Sequence, residues 1–215
     1  MVEKMAKKGN SENNLRENET FFDRWAKSYD RPLFQFWMRG FYQPALQQIT
    51  KSGKVLDVSC GTGGFLRELQ ERVSDEKKGS TLYGADISSQ MLAAASRKLG
   101  KIVHLQKADV HRLPFKDNHF DYVVSTEAFH HYANQRKALA EMKRVAKKQG
   151  KVLIVDINFF LRPLHWLFQK LEPGCVKINS RKEMRTLFQE AGLQHIMQQR
   201  SFLFAVLTQG VKMGG

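Results

Sequence analysis

Val55-Leu56-Asp57-Val58-Ser59-Cys60-Gly61-Thr62-Gly63-Gly64 passes from an apolar, β-branched run through a cluster of small residues into a helical pattern. The first four residues read as a strand, and Phe65, Leu66 and Leu69 fall on one face of the next helix. Small residues at such a junction let the backbone bend sharply and approach a ligand, with the first helical N–H groups pointing outward. The turn is read as ligand-binding. Its spacing alone leaves open a purely structural turn.

Downstream, short apolar runs alternate with amphipathic helical stretches. Strands are expected at 81–86, 102–106, 120–125 and 151–156. Between them, Met91, Leu92, Ala95 and Leu99 line one helix face, and Ala138, Leu139, Met142, Val145 and Ala146 line another. That alternation predicts crossover units and a doubly wound, mainly parallel α/β sheet. Residues 182–192 read as a helix, with extended runs at 195–200 and 202–208 close enough to pair as a hairpin. Upstream, residues 1–18 are polar without a sustained period and read as a disordered tail. Residues 19–50 are dense in aromatics and interrupted at Pro32 and Pro44, so two or three short helices are expected, placed as a lid. The expected organisation is the tail, the lid helices, a binding core over 51–158, an acceptor-pocket segment over 159–181, and a closing helix and hairpin over 182–215.

At 215 residues the chain suits one core rather than two. No stretch reaches the roughly 20 apolar residues of a membrane span, and the polar start does not resemble a signal peptide, so a cytoplasmic protein is expected. Cys60 and Cys175 are the only cysteines; they make no disulfide framework, and their spacing is not that of a zinc site. Neither redox nor metal chemistry is indicated. The net charge of +14 raises the odds of an anionic partner, whether nucleic acid, anionic lipid or a phosphorylated metabolite. Part of the excess is local: Arg136, Lys137, Lys143, Arg144, Lys147, Lys148 and Lys151 cluster on or beside one helix with Glu141 the one acid among them, either as a solvated face or as a binding stripe.

Asp86 ends the second strand, about 20 residues past the glycine turn, where a carboxylate can accept hydrogen bonds from both ribose hydroxyls. Asp109 comes just after the third strand, where it can accept from an exocyclic amine while apolar neighbours sandwich a base. In a parallel sheet these strand ends open onto one crevice, and together they describe an adenosine site. With Gly84-Ala85-Asp86-Ile87-Ser88, Ala108-Asp109-Val110, Leu113-Pro114-Phe115, Phe120-Asp121, and Ala138–Val145 ahead of Gly150-Lys151-Val152-Leu153-Ile154-Val155, the chain closely resembles the class I methyltransferases dependent on S-adenosyl-L-methionine (SAM), in the ubiquinone/menaquinone-type branch. The resemblance covers about residues 21–208. It implies a seven-stranded, mainly parallel Rossmann-like sheet with an antiparallel last strand.

On matching positions the resemblance implies that Gly61, Thr62 and Gly63 wrap the methionine part of SAM, with Ser59 and Cys60 in the same turn. Asp57 would orient the ammonium and Asp86 the ribose, flanked by Ile87 and Met91. Asp109 and Val110 would meet the adenine, Thr126 the amino-acid end, and Tyr29 would close over it. Ser59 stands where most of the class has glycine. A nicotinamide dehydrogenase would leave Asp57 and Asp109 without roles, and Ser125-Thr126-Glu127-Ala128-Phe129 lacks the Pro-Pro motif of base-amino methyltransferases.

SAM carries its own electrophile, so catalysis is chiefly alignment, with a base needed where the acceptor must lose a proton. His130, His131 and Glu127 are the candidates, although the histidines could equally cap the loop. The apolar 159–168 segment reads either as a lid over a bulky apolar acceptor, a quinone precursor or lipid, or as a helix packed on the amino-terminal aromatics. With its Lys and Arg neighbours it could also rest on an anionic membrane surface. An RNA or protein methyltransferase, favoured by the charge, and a SAM-binding regulator without turnover are the alternatives.

Overall fold

A computed structural model describes residues 32–75, 79–159, 162–172, 174–201 and 204–214. The expected tail and Tyr29 lie outside the described residues. Helix α1 (Pro32–Gln48) precedes strand β1 (Lys54–Val58), helix α2 (Gly64–Asp75), strand β2 (Thr81–Asp86), helix α3 (Ser89–Leu99) and strand β3 (His104–Lys107). Strand β4 (Phe120–Thr126) runs into a single 3-10 turn at Phe129–His131, then helix α4 (Gln135–Val145) and strand β5 (Ala146–Ile157). Helices α5 (Arg162–Leu171) and α6 (Arg181–Glu190) lead to strands β6 (Gln194–Arg200) and β7 (Ala205–Val211).

The seven strands form one sheet in the order β3-β2-β1-β4-β5-β7-β6. Pairings from β3 through β5 are parallel, and β7 runs antiparallel to both β5 and β6. The expected hairpin is β6–β7, and the doubly wound sheet with an antiparallel last strand is the observed architecture. The central strands are buried on both faces, which is why they read as unbroken apolar runs. Alternate residues serve opposite layers. Val55, Tyr122, Val124, Leu153 and Val155 pack with α1, α2 and α3. Leu56, Val123, Val152 and Ile154 pack with α4 and α6.

Three expectations require correction. Residues 32–48 form one helix, with Pro44 inside it. A proline there frees the carbonyl of Gly40, and Ser201 Oγ donates to that oxygen at 3.3 Å, so the break expected from proline is offset by a tertiary hydrogen bond. This helix is also no lid: Met38, Phe41, Tyr42, Ala45 and Leu46 are core residues against the sheet. The third strand begins at His104, later than expected, and Ile102 is exposed; β3 is an edge strand, which favours short pairing. Three of the seven residues of the basic cluster form ion pairs among the described residues. Arg136 meets Glu190, Arg144 meets Glu141 and Asp117, and Lys147 meets Asp121.

Candidate active site

The chain leaves β1 toward one side of the sheet and β4 toward the other, so a crevice opens beyond the carboxyl ends of these neighbours. A cleft occupies it. Ser59 and Gly61 from the first turn, Asp86 and Ile87 after β2, Ala108 to His111 after β3, and Thr126 to Ala128 after β4 line it, with Met91, His131, Tyr132 and Ala133.

The first turn is held by backbone groups. Cys60 N–H donates to Ala85 O at 3.0 Å, and Gly63 N–H to Cys60 O at 2.9 Å. Ser59, Gly61 and Gly63 have φ of +60°, +52° and +80°, a region that disfavours side chains. That explains why a serine at 59 is unusual. Ser59 Oγ lies 2.9 Å from the Tyr132 hydroxyl, which lies 2.9 Å from Ser125 Oγ, so the strained residue is tied to the end of β4. At Gly63 a Cβ would meet Leu99 Cδ1 at 2.6 Å, so this glycine serves the packing of α2 against α3.

Asp86 joins the turn to β2. Gly61 N–H donates to its Oδ2 at 2.8 Å and Ser88 N–H to its Oδ1 at 2.9 Å. Those bonds orient the carboxylate where it lines the cleft. Asp109 is fixed similarly, its Oδ1 accepting from His111 N–H at 2.9 Å and lying 2.6 Å from His111 Nδ1. Burial alone would raise its pKa, but the bonds from His111 outweigh it and hold the carboxyl below its ordinary value. Asn134 N–H donates to His111 Nε2 at 3.2 Å, which places the proton of a neutral ring on Nδ1.

Asp57 is buried under the turn. Its Oδ1 has no hydrogen-bond partner among the described residues, and burial, then the charge of Asp86, push its carboxyl well above the ordinary range. Asp57 does not line the cleft, so a ligand would reach this buried acceptor only through the turn or by way of water. Of the other turn residues, Cys60 points its thiol at Gly84 in the core, and Thr62 Oγ1 accepts from Lys98 Nζ at 3.0 Å, so neither side chain faces the cleft.

At the opposite end, Glu127 leaves β4 with φ +50°, its N–H held by Val155 O at 2.8 Å; local strain of this kind aims a side chain away from the strand path. The three candidate bases separate. Glu127 and His131 line the cleft, whereas His130 is wholly buried behind it and does not. Burial would depress His130, but the Asp156 carboxylate at 2.5 Å, aided by Glu172, raises it to about 10, so His130 holds its proton at pH 7. Burial and the neighbouring His130 charge push His131 down to about 4. Sequence reasoning passed over His111 and Tyr132. A His two residues past a strand-end Asp is a usable signal for the first; the Tyr132 bridge joins loops 73 residues apart and has none.

The residues fit the cofactor that this arrangement suggests: oriented carboxylates at two strand ends, apolar Ile87, Met91, Ala108 and Val110 around them, and an unsatisfied buried acceptor below the glycine turn. Comparison with known proteins agrees. Residues 56–154 match the family described as methyltransferase domain. A demethylmenaquinone methyltransferase of Bacillus mycoides is 30% identical over 188 residues, covering 75% of this chain and 78% of that protein. An uncharacterized protein of Methanocaldococcus jannaschii is 32% identical over 158 residues, 73% of this chain; the chain spans 57% of that protein's length. The fold is shared with a SAM-dependent methyltransferase from Aquifex aeolicus at TM-score 0.68, with 24% identity, 88% of this chain and 97% of that one covered. The strand-end carboxylates, the sheet order and these relatives converge: the chain belongs to the class I SAM-dependent methyltransferases.

Proposed function

We propose that this methyltransferase acts on a small apolar acceptor bearing an ionisable group, of the quinone-precursor or lipid class. The observation that carries the reading is the apolar surface beyond β5: Leu164, Leu167 and Leu171, at helical spacing, are exposed on α5, which leads to Gly174, whose carbonyl meets His131 at the cleft wall. A contiguous apolar patch on a chain this charged marks a contact surface. The demethylmenaquinone methyltransferase relative, whose name specifies a quinone, supports the same class.

In this reading SAM supplies a sulfonium methyl with a good leaving group. Asp86 holds the ribose hydroxyls, Asp109 and Val110 the adenine, with Ile87 and Met91 against its faces. Gly61 and the backbone of Ser59 and Cys60 approach the methionine portion, Thr62 and Gly63 shape the turn from behind, and Asp57 attracts the ammonium. Thr126 borders the amino-acid end. Proton removal from the acceptor falls to Glu127 or His131. The apolar stripe of α5, with Lys170 stacked on Trp166 at 3.9 Å, suits an acceptor drawn from an anionic bilayer surface. No described helix is long and apolar enough to cross a membrane.

Incubation with labelled SAM and cell extract, partitioned into organic, aqueous and macromolecular fractions, tests the proposal. Label is expected in the organic fraction. Label confined to nucleic acid or protein would overturn the acceptor class, and tight SAM binding without transfer would make the chain a regulator.

A further inference from the structure

Behind the cleft wall formed by His131 lies a second polar cluster built from segments remote in sequence. His130 turns Nδ1 to Asp156 of β5 and Nε2 toward Glu172, whose Oε2 is 3.3 Å away. His131 Nδ1 lies 2.9 Å from the carbonyl oxygen of Gly174, and its Nε2 lies 3.8 Å from Glu172 Oε1. One ligating atom from each of His130, His131 and Glu172 falls within 4.8 Å of the others. Val176 and Lys177 N–H groups both donate to His130 O, fastening the strap that carries Gly174 against the histidines.

From this geometry we infer that His130, His131 and Glu172 bind a divalent transition-metal ion, with zinc as the reference species. Ligand atoms about 2.0–2.2 Å from a tetrahedral ion stand about 3.4 Å from one another, close to the 3.3 Å between His130 Nε2 and Glu172 Oε2. Metal-binding histidines characteristically commit their second nitrogen to a carboxylate or a carbonyl, which Asp156 and Gly174 supply. At His130, with Nδ1 turned to Asp156, Nε2 makes no hydrogen bond among the described residues and is the nitrogen that binds.

A proton shared between His130 and Glu172 accounts for less. Nε2 of His130 and Oε2 of Glu172 are both buried and, although 3.3 Å apart, neither makes a hydrogen bond among the described residues, because the oxygen lies off the ring N–H axis. Off-axis placement is what two atoms sharing one ion at an apex require. Charge points the same way. Asp156 and Glu172 bring two carboxylates into this enclosed space, and their ion-pair partners among the described residues are these histidines alone. A divalent ion that displaces the proton on His130 balances both.

Three protein ligands leave a fourth position, the arrangement of catalytic rather than structural zinc. A part for the ion in the reaction rests on the methyltransferase reading. Of the three ligands His131 alone lines the cleft, so the ion would sit behind the cleft wall and, with both His131 nitrogens engaged, proton removal from the acceptor would fall to Glu127.

Calorimetric titration of EDTA-stripped full-length protein with zinc chloride tests the site without any methyl transfer. One ion per chain is expected, with affinity lowered at least about 100-fold in Glu172→Gln and about 10–100-fold in Asp156→Asn. Cobalt(II) should give the visible bands of a nitrogen- and oxygen-ligated ion. No zinc binding by folded wild-type protein, undiminished binding by Glu172→Gln, or a thiolate charge-transfer band implicating Cys175 would each overturn the assignment. S-adenosylhomocysteine titrated into the same samples separates the two claims: zinc bound without it removes the methyltransferase reading alone, and the converse removes the metal site alone.

Discussion

The two halves of the cleft are made differently. On the β1–β3 side, Asp86 and Asp109 are oriented by N–H groups within the adjoining turns, and Gly61 N–H reaches Asp86 across two neighbouring strands. On the β4–β5 side, His130 and His131 meet Asp156, Glu172 and Gly174 from segments tens of residues away, and the groups there are largely buried and electrostatically coupled. A binding half assembled from local turns can persist through changes of substrate. The half assembled from long-range contacts is where one family member can differ from another.

The largest expected effect breaks the first half. Asp86→Ala removes the acceptor for the ribose hydroxyls and for two backbone donors; charged hydrogen bonds are worth about 1.5–3 kcal/mol each, so SAM affinity should fall at least about 100-fold by calorimetry. Asp57→Asn sharpens the contrast, because binding and stability should move oppositely. Its folded pKa is raised, so its favourable contribution is complete only below the unfolded value near 4 and is lost as pH rises. The amide should raise the melting temperature at pH 7, by an increment that shrinks toward pH 4, while weakening SAM about tenfold through the lost ammonium contact.

Tyr132→Phe cuts the tie between the halves. It removes the bridge from Ser59 to Ser125, and denaturant unfolding should show a loss of about 1 kcal/mol. The smallest effect belongs to His111→Ala. Asp109 has a depressed pKa, so its contribution is present above about pH 4 and fades as pH falls through the folded value. Without His111, melting temperature should depend less on pH between about 5 and 3.

These halves also differ in how much of them the sequence discloses. Strand and helix periods, the glycine turn and the two strand-end acids are short-range signals, and they gave the sheet and the residues at the ends of β1, β2 and β3. Pro44 misled because its cost is offset by Ser201, a partner 161 residues from Gly40. The lid was expected over 19–50, and its described helix, 32–48, is core, because aromatic density does not say which surface a helix covers. His130 and His131 were visible as a pair, but nothing local shows that one is sealed against Asp156 while the other borders the cleft; that depends on where β5 and the strap after α5 run.

Titrating S-adenosylhomocysteine into wild-type, Asp86→Ala and Glu172→Gln protein by calorimetry tests the division of the cleft most directly. One site per chain is expected, lost or severely weakened in Asp86→Ala and retained in Glu172→Gln. Equal affinity in wild type and Asp86→Ala, or no association with folded wild-type protein, would contradict that division.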